Sequence, residues 1–225
     1  MTIQVAVLDM AGTTVADNGL VLAAFDRAAT AAGVAASGPG RDQARQYVLD
    51  TMGQSKISVF RALLGDEDRA QVANAAFETA YSELVDAGGS TPITGAAETI
   101  SRLRASGVRV ALSTGFSAAT QEKLLASLGW QSLADVALAA GQGLRGRPYP
   151  DLNLTALMRL GGDAVSNLAV LGDTTSDIDS GLRAGAAVVA GTLTGAHTDA
   201  QLRAAGATHI VTTVGEFADL VLAQR

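Results

Sequence analysis

The stretch VLDMAGTTV, residues 7–15, decides the fold because it joins the end of an apolar run to a single carboxylate. Asp9 follows the run, and the small residues and threonines after Met10 cannot ionise. An apolar run that ends in a polar turn is typical of a strand buried in a parallel sheet. Ala11 stands two residues after Asp9, where a second acid would be useful for acid–base chemistry.

Similar apolar runs recur along the chain, and each is followed by a polar turn and a helical pattern. The predicted strands are residues 3–9, 108–114, 135–140, 167–173, 186–191 and 208–213. The predicted helices between them are residues 95–106, 117–128, 150–160, 176–184, 198–205 and 214–224. This alternation predicts an α/β fold, a doubly wound parallel sheet of the Rossmann-like kind.

One region interrupts the alternation, because no strand pattern occurs between Gly19 and Gly88. The helical patterns there cover residues 20–32, 43–52, 56–64 and 69–85. Such a region is too long for an ordinary crossover. We therefore expect an inserted α-helical cap domain over residues 17–90, with the catalytic core formed by residues 1–16 and 91–225. A cap over the strand ends could close a site against water.

Composition excludes several classes of function. The chain has 225 residues, 48% of them hydrophobic, which suits one domain, or one domain with a sizeable insertion. The net charge of −6 offers no basic surface for nucleic acid, and the absence of cysteine excludes a disulfide scaffold. No apolar run approaches the ~18 residues of a membrane span. The expectation is a cytoplasmic protein with no membrane partner.

Three aspartates follow predicted strands that should end at the same edge of the sheet. Asp9 ends the first run, and LGDTTSD supplies Asp173 and Asp177, four residues apart. Carboxylates gathered in this way could hold Mg²⁺, which prefers oxygen ligands. The alternative is that the first two merely end strands, while Asp177 caps a helix.

Two further motifs could bind phosphate. ALSTGFS, residues 111–117, offers the Thr114 hydroxyl and backbone N–H groups at a helix start. GRPYP supplies Arg147, which could neutralise phosphate or pair with Asp9. The alternatives are a helix N-cap at Ser117 and an ordinary loop charge at Arg147.

In this order, DMAGTT, STG, GRPYP and GDTTSD resemble the four motifs of the haloacid dehalogenase superfamily. The resemblance covers the whole chain, including a cap inserted after the first motif. It implies that Asp9 is the nucleophile that attacks phosphorus. The phosphate-binding residues it implies are Ala11, Gly12, Thr114, Gly115 and Arg147. The Mg²⁺ ligands it implies are Asp9, Ala11 and Asp173, with Asp177 as a second ligand or a partner of the ligands.

The alanine at position 11 sets this sequence apart from ordinary phosphatases of that superfamily, which have an aspartate there to protonate the departing alkoxide. A positioned acid typically contributes ~10²–10⁴-fold, so its loss costs about 3–5 kcal/mol of barrier. Either the protein is a poor ester phosphatase, or its leaving group needs no acid at this position.

The variant D-x-A-G-T-T resembles the phosphonoacetaldehyde hydrolase (phosphonatase)-like branch, which cleaves a carbon–phosphorus bond through an imine on a cap lysine. MGQSKISVFRALLG, residues 52–65, resembles the lysine segment of that branch. It implies that Lys56 is the imine-forming amine and that Met52, Gly53 and Phe116 line the substrate pocket. The amine must be neutral to attack a carbonyl, so its pKa must fall from about 10.4. The alternative for Lys56 is a solvated surface charge.

Three positions depart from phosphonoacetaldehyde hydrolase. Val59 replaces a histidine thought to move protons, Phe116 replaces a tyrosine, and Gly19 or Leu20 replaces a cysteine. These changes favour a related 2-oxoalkyl phosphonate as substrate. His197 and His209 lie outside the motifs and are interpreted as surface or packing residues.

The sequence therefore favours Mg²⁺-dependent hydrolysis of phosphonoacetaldehyde or a related phosphonate. A phosphate-monoester phosphatase or phosphomutase is the alternative, and a phosphate- or metal-sensing protein without turnover is a third interpretation. The expected partner is a small organophosphonate or phosphate, and the resemblance allows a homodimer.

Overall fold

The computed structural model describes residues 2–141 and 143–224, and its centre is a six-stranded parallel sheet. The strands within these residues are β1 (Val5–Asp9), β2 (Val15–Ala16), β3 (Thr91–Pro92), β4 (Arg109–Thr114), β5 (Val136–Ala139), β6 (Leu168–Gly172), β7 (Val188–Thr192) and β8 (His209–Val211). The sheet order is β5-β4-β1-β6-β7-β8. The predicted α/β fold class is confirmed, because all six predicted apolar runs form strands of this sheet.

In the described residues, ten α-helices connect and cover the strands. They are α1 (Leu20–Ala31), α2 (Pro39–Asp50), α3 (Lys56–Leu64), α4 (Glu67–Asp86), α5 (Ala96–Ala105), α6 (Ala118–Leu128), α7 (Asp151–Arg159), α8 (Thr175–Ala184), α9 (Asp199–Ala204) and α10 (Val214–Leu222). α2 begins four residues before its predicted start, because Pro39 at the first position suits a helix N-terminus. No helix in the described parts of the chain has the length and apolar character needed to cross a membrane.

The register of β1 positions the first motif. β1 lies between β4 and β6, and Leu8 pairs with Leu112 on one side and Leu171 on the other. Asp9 pairs with Ser113, so the carboxyl ends of β1 and β4 are level. The chain runs outward in both directions from this strand, and such a switch point opens a crevice at the strand ends.

Helices α1–α4, residues 20–86, form a helical insert between two very short strands. β2 and β3 pair antiparallel, with Val15 opposite Pro92 and Ala16 opposite Thr91. The pair brings together the chain segments that enter and leave the insert. The sequence did not indicate it, because two residues cannot show an alternating pattern. The division into a cap at 17–90 and a core stays a prediction.

A row of aromatic rings holds the insert together and joins it to the core. Phe60 stacks on Phe25 at 5.8 Å and meets Phe77 edge-on at 6.2 Å. Phe77 contacts both Tyr81 and Phe116, at 5.8 and 6.2 Å between ring centroids. Because Phe116 follows β4, the row connects the insert directly to the sheet.

Replacing Phe60 by alanine tests this packing. The ring is 1% exposed, so its removal should lower the free energy of unfolding by about 3–5 kcal/mol. Val72→Ala on α4, 52% exposed, is the matched control and should change it by less than about 0.5 kcal/mol. Urea denaturation of both variants measures the difference. Equal losses would show that the aromatic row is not a packed core.

Candidate active site

A cavity of about 350 Å³ lies where the helical insert covers the carboxyl ends of the strands. Its walls contain nearly every residue that the sequence singled out. These are Asp9, Ala11, Gly12, Met52, Gly53, Lys56, Thr114, Gly115, Phe116, Arg147 and Asp173. Asp177 is absent from the cavity wall and lies buried behind it.

Three carboxylates cluster at the base of the cavity. Asp9, Asp173 and Asp177 are buried, and one oxygen from each lies within 4.8 Å of the other two. Like charges this close repel one another strongly in a buried site. The donor set is all oxygen, which fits a hard divalent cation such as Mg²⁺.

Asp173 is held in place from two sides. Thr13 Oγ1 donates to its Oδ1 at 3.0 Å, and the Ala196 amide donates to its Oδ2 at 2.8 Å. A Cβ atom on Gly12 or Gly195 would lie 2.3 or 2.0 Å from the same carboxylate. The two glycines therefore let the backbone pass directly against the carboxylate.

The two carboxylate oxygens of Asp177 have different partners. Its Oδ2 accepts from the Thr174 amide at 3.1 Å, which closes the capping box at the start of α8. Its Oδ1 lies 2.6 Å from Arg147 Nε, an ion pair without a directed hydrogen bond. This oxygen is thus available to a cation, and the residue also serves as the helix cap that the alternative interpretation expected.

Arg147 lies at the centre of the cluster and is itself buried. Its Nη1 lies 2.7 Å from Asp9 Oδ1, and its Nη2 donates to Ser113 Oγ at 2.6 Å. The same Nη1 donates to the Gly53 carbonyl of the insert at 3.4 Å. Arg147 therefore pairs with Asp9, as one of the two interpretations of GRPYP expected.

The charges of the cluster do not balance. Burial raises the pKa of Asp9. The positive charge of Arg147 lowers this pKa, and repulsion from Asp177 and Asp173 raises it further. Burial and the Asp177 charge raise the pKa of Asp173 to about 7. Three carboxylates face one guanidinium, so the ionised cluster carries two negative charges in excess. A divalent cation would neutralise this excess, which supports the fit to Mg²⁺.

The end of β4 offers a place for a phosphoryl group. Thr114 is buried, and its Oγ1 accepts from the Phe116 amide at 3.1 Å. Its hydroxyl hydrogen donates to none of the described residues, so it can donate to a ligand oxygen. Gly115 lies beside it on the cavity wall.

The segment 52–56 of the insert lies directly on the loops of the core. A Cβ atom on Gly53 would come within 2.4 Å of Thr174 Oγ1, and one on Gly115 within 2.5 Å of the Gln54 carbonyl. A Cβ atom on Gly146 would lie 2.9 Å from the Ser55 side chain. Only glycine allows these close approaches, and they bring Lys56 to the cavity.

Lys56 is the first residue of α3 and is partly buried. Its Nζ lies 5.4 Å from the ring centroid of Phe116 and 5.8 Å from that of Phe77. Burial lowers the pKa of Lys56, although nearby carboxylates oppose the shift. The positive end of the α3 dipole also disfavours the ammonium form. Lys56 lies on the cavity wall. Because its pKa is lowered, its amine loses a proton more readily than that of a surface lysine.

Sequence reasoning missed several residues of the site. Asp17, Leu49 and the loop 194–196 also line the cavity. His197 is buried, its Nδ1 accepts from the Thr175 amide at 2.9 Å, and its Nε2 lies 3.3 Å from the Leu49 carbonyl. The interpretation of His197 as a surface residue is wrong, because its buried side chain joins the core to the insert beside Asp173. The sequence could have indicated His197 as a site residue, because TLTGAH, residues 192–197, comes at the end of a strand on the same edge of the sheet as the aspartate motifs.

The family model described as haloacid dehalogenase-like hydrolase matches residues 3–185. The chain is 31% identical over 177 residues to "probable phosphatase IndB" of Dickeya dadantii, covering 76% of each protein. It is 27% identical over 194 residues to phosphonoacetaldehyde hydrolase of Nitratidesulfovibrio vulgaris, covering 81% of this chain and 69% of that one. A phosphonoacetaldehyde hydrolase-like protein from Oleispira antarctica shares the fold, with a TM-score of 0.84, 20% identity and coverage of 99% and 92%. This chain belongs to the haloacid dehalogenase-like hydrolases.

Proposed function

We propose that the protein cleaves the carbon–phosphorus bond of phosphonoacetaldehyde or a related 2-oxoalkyl phosphonate. The observation that carries the proposal is that Lys56 and Asp9 line one cavity while Ala11 occupies the position next to the nucleophile. The cavity thus combines an amine for a carbonyl with a carboxylate for phosphorus. No acid stands at position 11 to protonate an alkoxide.

The chemistry follows from these placements. Neutral Lys56 attacks the substrate carbonyl, and loss of water leaves a protonated imine. Asp9 attacks phosphorus, the carbon–phosphorus bond breaks, and its electron pair moves into the iminium to give an enamine. The enamine takes up a proton from solvent at the carbon that carried phosphorus and becomes an imine, and water hydrolyses this imine to release the carbonyl product and free Lys56. A second water molecule hydrolyses the aspartyl-phosphate to give phosphate and Asp9. The leaving group is therefore a neutral enamine, which explains why alanine suffices at position 11.

Arg147 and Thr114 would hold the phosphoryl oxygens. The guanidinium keeps its charge despite burial, because Asp177 and Asp9 raise its pKa. Mg²⁺ would be held by Asp9, Asp173 and the Ala11 carbonyl, with Asp177 beside them, and would offset negative charge on the phosphoryl group. The helical insert would act as a cap that excludes water while Lys56 is in place.

A phosphate-monoester phosphatase is the second candidate, supported by the 31% identity to "probable phosphatase IndB". In that case the cap or solvent would supply the missing proton, and Lys56 would only neutralise substrate charge. The two candidates differ in one respect that can be measured, which is whether Lys56 forms a covalent bond to the substrate.

Borohydride trapping with phosphonoacetaldehyde tests the imine. The wild-type protein should gain a reduced adduct on Lys56, located by mass spectrometry of peptides. Lys56→Ala should abolish the adduct and lower phosphate release more than about a thousandfold, or about 4 kcal/mol of barrier. Lys56 and Lys123 are the only two lysines in the chain, so the assignment is direct.

Lys123→Arg is the matched control, because Lys123 lies in a half-exposed ion pair with Asp86, remote from the cavity wall. It should keep both the adduct and phosphate release. An adduct on Lys123 alone, or full activity in Lys56→Ala, would contradict the imine and favour the phosphatase.

The pH dependence of trapping tests the environment of Lys56. Because burial lowers its pKa from 10.5, the neutral amine should become abundant at a lower pH than for an exposed lysine. The trapping rate should rise with pH and level off below pH 10.5. A profile that is still rising at that pH would show that the amine is solvated.

Mg²⁺ should stabilise the protein through the aspartate cluster. A hundredfold excess over Kd adds about 2.7 kcal/mol to the free energy of unfolding, a rise in Tm of about 5–10 °C for a chain of this size. Asp173→Asn should abolish the rise. The asparagine oxygen can accept from the Ala196 amide and its NH2 group can donate to Thr13 Oγ1, so the metal-free Tm should not fall. Exposed Asp219→Asn is the control. A full Mg²⁺ shift in Asp173→Asn would place the ion elsewhere.

A further inference from the structure

Asp17 is a carboxylate in the cavity that the proposed steps do not use. It follows β2 and precedes α1, at the point where the chain enters the helical insert. It lines the same cavity as Lys56 and Asp9. Asp17 therefore lies on the wall of the proposed substrate site, as Lys56 does, and is separate from the aspartate cluster.

The start of α1 fixes the Asp17 carboxylate. Its Oδ1 accepts from the Val21 amide at 3.1 Å, and its Oδ2 accepts from the Gly19 amide at 3.2 Å. A carboxylate has about four lone-pair sites, so each oxygen can still accept one more hydrogen bond. The side chain is thus oriented by the backbone and retains capacity for a ligand or water.

Neither Asp17 nor Lys56 has an ion-pair partner within 4.0 Å among the described residues. The two charges nevertheless influence each other. Burial lowers the pKa of Lys56, and Asp17 opposes the shift more strongly than Asp9 does. Burial likewise raises the pKa of Asp17, while Lys56 opposes that rise. Both side chains line the same cavity, and neither neutralises the other through a direct ion pair.

Imine formation needs a group that moves protons, and α3 does not supply one. Val59, one turn after Lys56, is 5% exposed and packs into the apolar interior of the insert with Phe60 and Val48. An amine that adds to a carbonyl must lose a proton, and the hydroxyl formed must gain one before it leaves as water. A carboxylate close to the amine can perform both transfers.

We propose that Asp17 is the catalytic acid–base for imine formation at Lys56, an inference that rests on the proposed function. As the Lys56 nitrogen bonds to the carbonyl carbon, the carboxylate accepts the nitrogen proton, directly or through one water. The carbonyl oxygen takes up a proton from solvent and becomes a hydroxyl. Asp17 then returns its proton to that hydroxyl, the carbon–oxygen bond breaks, and water leaves the protonated imine.

The other charged groups that face this pair are engaged elsewhere. Asp9 and Arg147, which also face Lys56, form their own ion pair. Glu78 accepts hydrogen bonds from Ser117 and Thr120, with Ser117 Oγ at 2.6 Å. Tyr81 faces Asp17, but burial raises the pKa of its phenol, which then stays protonated.

Rapid-quench trapping of Asp17→Asn with phosphonoacetaldehyde and borohydride tests the proposal, under conditions in which imine formation limits the rate. The asparagine oxygen can still accept from the Val21 amide, so one of the two backbone hydrogen bonds that orient the side chain remains and the fold should be retained. The trapping rate at its high-pH plateau should fall by about 10²–10⁴-fold. Asp66→Asn is the matched control, because Asp66 caps α4 of the same insert by accepting from the Arg69 amide. It should trap at the wild-type rate.

A purely electrostatic role for Asp17 predicts the opposite result. Loss of its charge would lower the pKa of Lys56, and Asp17→Asn would trap faster than wild type at neutral pH, with an unchanged plateau. That outcome would overturn the proposal and leave the imine intact. No adduct in the wild-type protein would instead overturn the proposed function. Should Asp17→Asn unfold, Asp17→Ser keeps a capping hydroxyl and the same plateau test applies.

Discussion

The guanidinium of Arg147, buried between Asp9 and Asp177, is the interaction on which the site depends. An unpaired carboxylate in this position would cost several kcal/mol, so a permanent cation is required to keep the cluster buried. One guanidinium cannot balance three carboxylates, and the remaining negative charge makes a divalent cation the natural complement. Arginine suits this position better than lysine because it keeps its charge and contacts several groups at once.

The same residue connects the aspartate cluster to the helical insert. Arg147 donates to the Gly53 carbonyl, three residues before Lys56. The glycines at 53, 115 and 146 remove the side chains that would keep the insert away. The Asp9 carboxylate and the Lys56 amine are thereby brought to one cavity. The proposed reaction would explain the alanine at position 11, since a leaving group whose electron pair moves into an iminium needs no adjacent acid.

The sheet and the motif positions could be predicted from sequence because they depend on local patterns. Buried parallel strands are apolar nearly throughout, and β1 and β6 show this directly. The β2–β3 pair and the early start of α2 were not predicted, because the pair is too short to show a period and α2 is largely polar. Asp17 and His197 were missed for another reason. Their significance comes from placements across the fold, since Asp17 shares a cavity wall with Lys56 and His197 lies against the Leu49 carbonyl, and sequence spacing shows neither.

The central claim is that Lys56 takes the place of the acid missing at position 11. The most direct measurement compares phosphate release from phosphonoacetaldehyde and from a primary alkyl phosphate in the wild-type protein and in Ala11→Asp. The account predicts that the wild-type protein prefers the phosphonate, and that the new carboxyl raises alkyl phosphate hydrolysis by about 10²–10⁴-fold without accelerating phosphonate cleavage. A wild-type protein that hydrolyses the alkyl phosphate faster than the phosphonate would contradict it.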